Sequence, residues 1–104
     1  DNNGLQIDGP ITEVSSPEPI PDKFAAFGWH VITMDAHDFQ DIERAFDEAE
    51  KISGKPVVIV QKSVKGKGVS FMENQCSWHG TAPNQEQYEQ AMTELRTQLS
   101  GLEG

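Results

Sequence analysis

Apolar positions change their spacing along this chain, and each change marks an element. In residues 1–9 only Leu5 and Ile7 alternate, among Asn, Asp and Gly residues that tolerate turns and left-handed backbone. The stretch reads as a loop leaving a strand. Pro10, Pro17, Pro19 and Pro21 crowd residues 10–21 and forbid a regular ladder or helix through most of that segment. A short helix fits residues 20–27, with Pro21 in its first turn, Phe24 and Phe27 on one face, and Gly28 as the stop. That aromatic face needs cover.

Residues 29–34, Trp29-His30-Val31-Ile32-Thr33-Met34, are rich in β-branched and aromatic side chains and predict a strand ended by Asp35. Asp38 then caps a helix whose Phe39, Ile42, Ala45, Phe46, Ala49 and Ile52 form one stripe, with Gly54 at the C-terminal stop. Val57-Val58-Ile59-Val60 is a continuous apolar run of the kind found in a strand covered on both faces. Strand, helix, strand makes a βαβ crossover, so the two strands run parallel. An irregular stretch from Gln61 to Gly80 follows. Asn84 and Gln87 then hold the two places of a capping box, opening a helix with Tyr88, Met92, Leu95, Leu99 and Leu102 on one face. The fold class is α/β, part of a parallel-sheet domain with a C-terminal helix.

Composition narrows the partners. The 104 residues carry eight Lys and Arg against seventeen Asp and Glu, a net charge of −9, so the surface repels phosphate backbones and anionic lipid. Nonspecific nucleic-acid or membrane binding is disfavoured, and no stretch approaches the ~18 to 20 apolar residues of a membrane span. Cys76 is the single cysteine and has no internal partner, which makes a reducing cytoplasm the default. The chain opens on Asp1 without a charged-then-apolar leader, and this start reads as truncated or processed. With only 36% apolar residues, an independent core is thin, and the chain is expected to lean on other polypeptide.

Ligands of parallel α/β sheets bind at the carboxyl ends of the strands, which directs attention to Asn2 and Asn3 and to the loop after Val60. Asn3, with the Leu5 carbonyl two residues on, offers two neutral oxygens to a hard cation; an Asn bonding its own backbone in a turn explains the same residues. Lys62, Lys65 and Lys67, interleaved with Gly66 and Gly68, concentrate positive charge and accessible N–H groups as an approach for a diphosphate or sugar phosphate. The pattern is not that of a P-loop, and solvated loop lysines are the plainer alternative. His79, between Trp78 and Gly80, has an imidazole suited to proton transfer or phosphate contact. His30 and His37 read as structural, and Cys76 lacks metal-ligand spacing with any histidine.

Four stretches together resemble the transketolase family, in the thiamine diphosphate-binding part of its amino-terminal half. They are Asp1-Asn2-Asn3-Gly4-Leu5-Gln6-Ile7-Asp8-Gly9, Lys23-Phe24-Ala25-Ala26-Phe27-Gly28-Trp29-His30-Val31, Lys62-Ser63-Val64-Lys65-Gly66-Lys67-Gly68-Val69 and Ser77-Trp78-His79-Gly80. The resemblance runs to about Leu99 and is closer to the two-gene form, in which the amino-terminal section is a separate polypeptide. It implies a domain in which Mg²⁺, or Ca²⁺ in its place, is held by an Asp of an upstream Gly-Asp-Gly motif, by Asn3 and by the Leu5 carbonyl. The upstream Asp has no counterpart among these residues. By the same resemblance Gln6 and Ile7 lie beside the cofactor, Lys65 belongs to a loop closing over the site, and His79 is the histidine near the diphosphate and the reacting centre.

The activity implied is transfer of a two-carbon glycolaldehyde unit from a ketose phosphate to an aldose phosphate, a reaction of the pentose phosphate pathway. The partners implied are the remainder of the amino-terminal section, a transketolase C-terminal subunit or domain, and a dimeric assembly. The chain alone is expected to be inactive. Two alternatives stand beside this reading. A 1-deoxyxylulose 5-phosphate synthase-type enzyme shares the Lys-Gly-Lys-Gly loop, and a noncatalytic phosphate-binding module could use the basic loop and the Phe24 and Phe27 face.

Overall fold

The computed structural model describes residues 1–102. A hairpin opens the chain, pairing β1 (Leu5–Gln6) antiparallel with β2 (Gly9–Pro10), and a single helical turn, α1 (Ile11–Val14), follows. The expectation that prolines exclude regular structure from residues 10–21 is therefore corrected at its first five positions. Leu5 and Pro10 form the pair of the ladder that exchanges no hydrogen bonds, so the missing proline N–H costs nothing there. Ile11 N–H instead donates to the Gly4 carbonyl at 2.9 Å.

Helix α2 (Ile20–Ala26) has Pro21 in its first turn, as its sequence predicts, and ends at Phe27 as its cap. Gly28, at φ +85°, turns the chain into β3 (His30–Asp35). Phe24 is covered by Trp29 in an edge-on contact at 5.2 Å between ring centres, whereas Phe27 is exposed. Half of the expected aromatic face is thus covered locally.

Helix α3 (Phe39–Glu50) starts where Asp38 accepts hydrogen bonds from the Gln40 and Asp41 N–H groups. It leads to β4 (Val57–Lys62), which pairs parallel with β3 in the register Ile32 to Ile59 and Asp35 to Lys62. The core lies between this sheet and α3: Ile32, Met34 and Ala45 are buried, with Ile42, Ala49, Val57 and Ile59 packed around them. His30 faces the same helix and meets Glu48 Oε1 at 2.9 Å. Two details of the predicted stripe differ. Phe39 and Phe46 are exposed, because the small residues Ala45 and Ala49 bring α3 close to the sheet along a narrower seam. The helix also ends at Glu50, leaving Ile52 in the connection and Gly54, at φ +79°, in the turn beyond.

Of the apolar run in β4, only Val60 is buried; Val57, Val58 and Ile59 are half-buried. Coverage on both faces is not complete here, and among the described residues the free edge of β4 is paired at a single place, a parallel bridge between Asn2 and Lys62. The loop after β4 carries a buried Val69 and ends in a 3₁₀ turn, Cys76–His79. Both arms of the predicted capping box form at 2.9 Å, Asn84 N–H to Gln87 Oε1 and Gln87 N–H to Asn84 Oδ1, and α4 (Gln85–Leu102) follows. Its Tyr88, Leu95, Leu99 and Leu102 are exposed, so most of its apolar face has no partner among the described residues. No helix there is long and apolar enough to cross a membrane.

Candidate functional site at the carboxyl end of the parallel sheet

The opening segment is stitched onto the end of β4. Asn2 N–H donates to the Gln61 carbonyl at 2.9 Å, Ser63 N–H to the Asn2 carbonyl at 3.4 Å, and the Ser63 hydroxyl to the Asp1 carboxylate. Asn2 Nδ2 also reaches Glu18 Oε1 at 3.0 Å. Bonds from Ile20 N–H and Asn2, with Lys23 and Lys62 nearby, hold the Glu18 carboxyl below its ordinary value. The turn carrying Asn3 therefore stands beside Lys62 at the ligand-binding end of the strands.

Asn3 does what the turn reading of its side chain predicts: Oδ1 accepts from Leu5 N–H at 2.9 Å. This does not exhaust it, since an amide oxygen has a second lone pair. Leu5 occupies the pair without cross-strand bonds, so its N–H and its carbonyl both point away from β2, toward the edge where Asn3 sits. Two neutral oxygens thus share one edge, a donor set that suits a hard divalent cation such as Mg²⁺ or Ca²⁺. Asn3, Leu5 and Gln6 line one cleft of about 330 Å³ together with Ile11 and Ile20. Ile7 projects from the hairpin turn, 61% exposed.

The basic loop differs from its predicted form. Gly68 N–H, expected to face an anion, donates to Glu73 Oε1 at 3.0 Å, and the same carboxylate oxygen lies 3.7 Å from Lys67 Nζ. A carboxylate of the chain takes this donor, because the turn from Val69 to Glu73, with the Met72 and Glu73 N–H groups on the Val69 carbonyl, carries Glu73 back to Gly68. Gly66 has φ +72°, and a Cβ there would lie 2.6 Å from the Met72 carbonyl oxygen. Lys65 is half-buried and makes no ion pair among the described residues, while its carbonyl accepts from Asn74 N–H at 2.9 Å. Lys62 and Lys67 line a second cleft, of about 470 Å³, with Asp35, His37 and Arg44. His37 has the structural role expected of it: its Nε2 accepts from Val64 N–H at 2.8 Å and pins the basic loop to the end of β3.

His79 is exposed at the end of the 3₁₀ turn, which Trp78 anchors by donating from Nε1 to the Phe71 carbonyl at 3.2 Å. Neither His79 nor Lys65 lines the cleft of Asn3, Leu5 and Gln6. Sequence reasoning passed over Glu73 and Glu94, the carboxylates that organise the basic loop. No local spacing marks them, since their partners lie five and twenty-four positions away.

Comparison with known proteins decides what this architecture belongs to. The family profile described as "Transketolase, thiamine diphosphate binding domain" matches residues 1–100. The chain belongs to the transketolase family. Its relatives include an apulose-4-phosphate transketolase subunit of Phocaeicola vulgatus, 41% identical over 103 residues that cover 99% of this chain and 37% of that protein. The 6-deoxy-6-sulfo-D-fructose transketolase subunit of a Clostridium species is 40% identical over 95 residues, covering 91% of this chain and 34% of its own length. Transketolase from Campylobacter jejuni superposes with a TM-score of 0.83 at 27% identity, over 91% of this chain and 15% of its own. The chain thus spans about a third of the transketolase subunits it matches, and its parallel βαβ unit is a segment of the transketolase fold.

Proposed function

We propose that residues 1–104 are the carboxyl-terminal portion of the thiamine diphosphate-binding domain of a transketolase that moves a two-carbon unit from a ketose phosphate to an aldose phosphate. The observation that carries this reading is the oxygen edge of Asn3 and Leu5, held beside Lys62 at the carboxyl end of a parallel sheet. Thiamine diphosphate, when bound, supplies the electron sink that lets a carbon–carbon bond beside a carbonyl break and re-form. Asn3 Oδ1 and the Leu5 carbonyl hold Mg²⁺ or Ca²⁺, and Gln6 and Ile7 flank the cofactor. Lys65 places positive charge against a phosphate, and His79 donates to the diphosphate side and moves a proton at the reacting carbon.

Among the described residues no group of three His, Cys, Asp or Glu side chains converges on a metal position. Asn3 Oδ1 and the Leu5 carbonyl would therefore be this chain's share of a larger oxygen donor set. Relatives named as subunits of transketolases support an assembly with a second polypeptide; a dimeric enzyme in a reducing cytoplasm, with Cys76 as a thiol, belongs to the same proposal. Sugar-phosphate chemistry is supported by a relative named for apulose 4-phosphate, and the sulfofructose relative widens the class to ketoses with another terminal anion.

The test is metal dependence in the complete enzyme. Asn3→Ala removes one of two oxygen donors, and the Mg²⁺ concentration for half-maximal transfer from xylulose 5-phosphate to ribose 5-phosphate should rise by about 10- to 100-fold. An unchanged Mg²⁺ requirement overturns the assignment of Asn3 as a ligand. Pyruvate consumption in place of ketose-phosphate cleavage overturns the reaction.

A further inference from the structure

The loop carrying Lys65 is held from one side by α4. Both carboxylate oxygens of Glu94 accept from a single residue of that loop: Oε2 from Ser70 N–H at 2.6 Å and Oε1 from the Ser70 hydroxyl at 2.7 Å. One turn further along the helix, Gln98 Nε2 donates to the Gly68 carbonyl at 2.7 Å. Gly68 has φ +96°, and a Cβ there would rest 3.5 Å from Leu95 Cδ2, so the helix and the loop backbone are in close approach. Gln90 Nε2 supports the arrangement by donating to Glu94 Oε1 at 3.1 Å. Within the loop, Glu73 secures Gly68 and Lys67, and Asn74 N–H secures the Lys65 carbonyl. The loop's own bonds close it into a tight ring; the bonds that Glu94 accepts and Gln98 donates are the polar ties that fix the ring to α4.

We infer that Glu94, assisted by Gln98, is a positioning residue: it clamps Ser70 and Gly68 to α4 and thereby sets where Lys65 stands toward an anionic substrate. The inference rests on the reading of Lys65 as a substrate-side residue. A carboxylate that receives both donors of one serine defines the loop's position in two directions, whereas Glu73, moving with the loop, cannot. The Ser70 backbone N–H, its hydroxyl and Gln90 all favour the ionised carboxylate, and they hold Glu94 below its ordinary value. The clamp is therefore closed at neutral pH.

The experiment compares the complete enzyme with its Glu94→Ala, Glu94→Gln and Ser70→Ala variants by two independent readouts. Limited trypsin digestion reports release of the loop directly, because Lys65 and Lys67 are cleavage positions within it. Cleavage after these lysines should be about tenfold faster in Glu94→Ala, as expected when a charge-assisted tie is lost. Kinetics with xylulose 5-phosphate should show KM raised about tenfold, with the half-saturating Mg²⁺ concentration and the unfolding temperature little changed. Glu94→Gln, which keeps one acceptor, should fall between wild type and Glu94→Ala. Ser70→Ala removes only the hydroxyl bond and decides the matter if Glu94→Ala fails to fold; it should show the same two effects at smaller amplitude. Cleavage within twofold of wild type overturns the clamp, and faster cleavage with an unchanged KM overturns its positioning role. A wild-type enzyme that does not turn over xylulose 5-phosphate sinks the functional reading alone, since digestion still decides whether Glu94 holds the loop.

Discussion

Arg44 shows how much one exposed side chain organises in this molecule. Its guanidinium donates to Asp41 Oδ1 at 2.6 Å, to Glu48 Oε2 at 3.2 Å and to the Thr33 carbonyl at 2.8 Å, tying α3 to the edge of β3. The planar fork meets three acceptors in three directions, which an ammonium on a flexible stem does not reproduce. The Arg44 hydrogen bond, followed by the bond from Asp35 N–H, holds the Asp41 carboxyl below its ordinary 3.8. A depressed folded-state value means that the stabilisation is complete above pH 3.8 and is lost as pH falls through the lower folded value. Arg44→Lys should move the Asp41 titration back up toward 3.8, measured by carboxyl-carbon NMR. A titration that does not move would show that the backbone donor alone sets it.

At the scale of elements, the two long helices, α3 and α4, begin where short polar side chains stand in for missing backbone acceptors. Asp38 accepts from Gln40 and Asp41 N–H, and Asn84 exchanges bonds with Gln87. Asp38→Ala should destabilise the folded protein by about 1 kcal/mol in urea unfolding, the usual cost of a lost N-cap. An unchanged midpoint would mean that the bonds Asp41 accepts from Asp35 N–H and Arg44 suffice to start α3. These starts were legible because a cap and its targets lie within three residues. The helical turn Ile11–Val14 was not, since proline content alone speaks against it and only the hairpin's register frees Pro10 from donating. The exposure of Phe39 and Phe46 was equally hidden, because periodicity marks a face and not how much of it a two-stranded sheet can cover.

The described residues form a flat body, 50 by 39 by 16 Å, with five buried apolar residues among them and large apolar side chains exposed on α3 and α4. So little burial is what a segment of a larger fold presents. On the proposed reading, the Asn3 edge provides two metal oxygens and needs others from elsewhere. The 104-residue chain supplied with thiamine diphosphate, Mg²⁺, xylulose 5-phosphate and ribose 5-phosphate should therefore give no turnover above the blank in a coupled assay. Turnover by the chain alone would show that it completes the metal shell and the substrate wall by itself. Asn3, Leu5 and Gln6 come together because they are neighbours on a hairpin, whereas Lys65 and His79 lie outside their cleft on separately anchored loops.

From the order of residues alone come the parallel βαβ unit, the caps of α3 and α4 and the family, since each is signalled by a pattern or motif a few positions long. The tertiary structure decided the rest. Asn2 meets Lys62 across sixty residues, His37 takes the Val64 N–H, and Glu73 and Glu94 claim the donors of the basic loop. A hydrogen bond between distant segments leaves no period in a sequence, because its geometry exists only once the sheet and α4 have brought the two ends together.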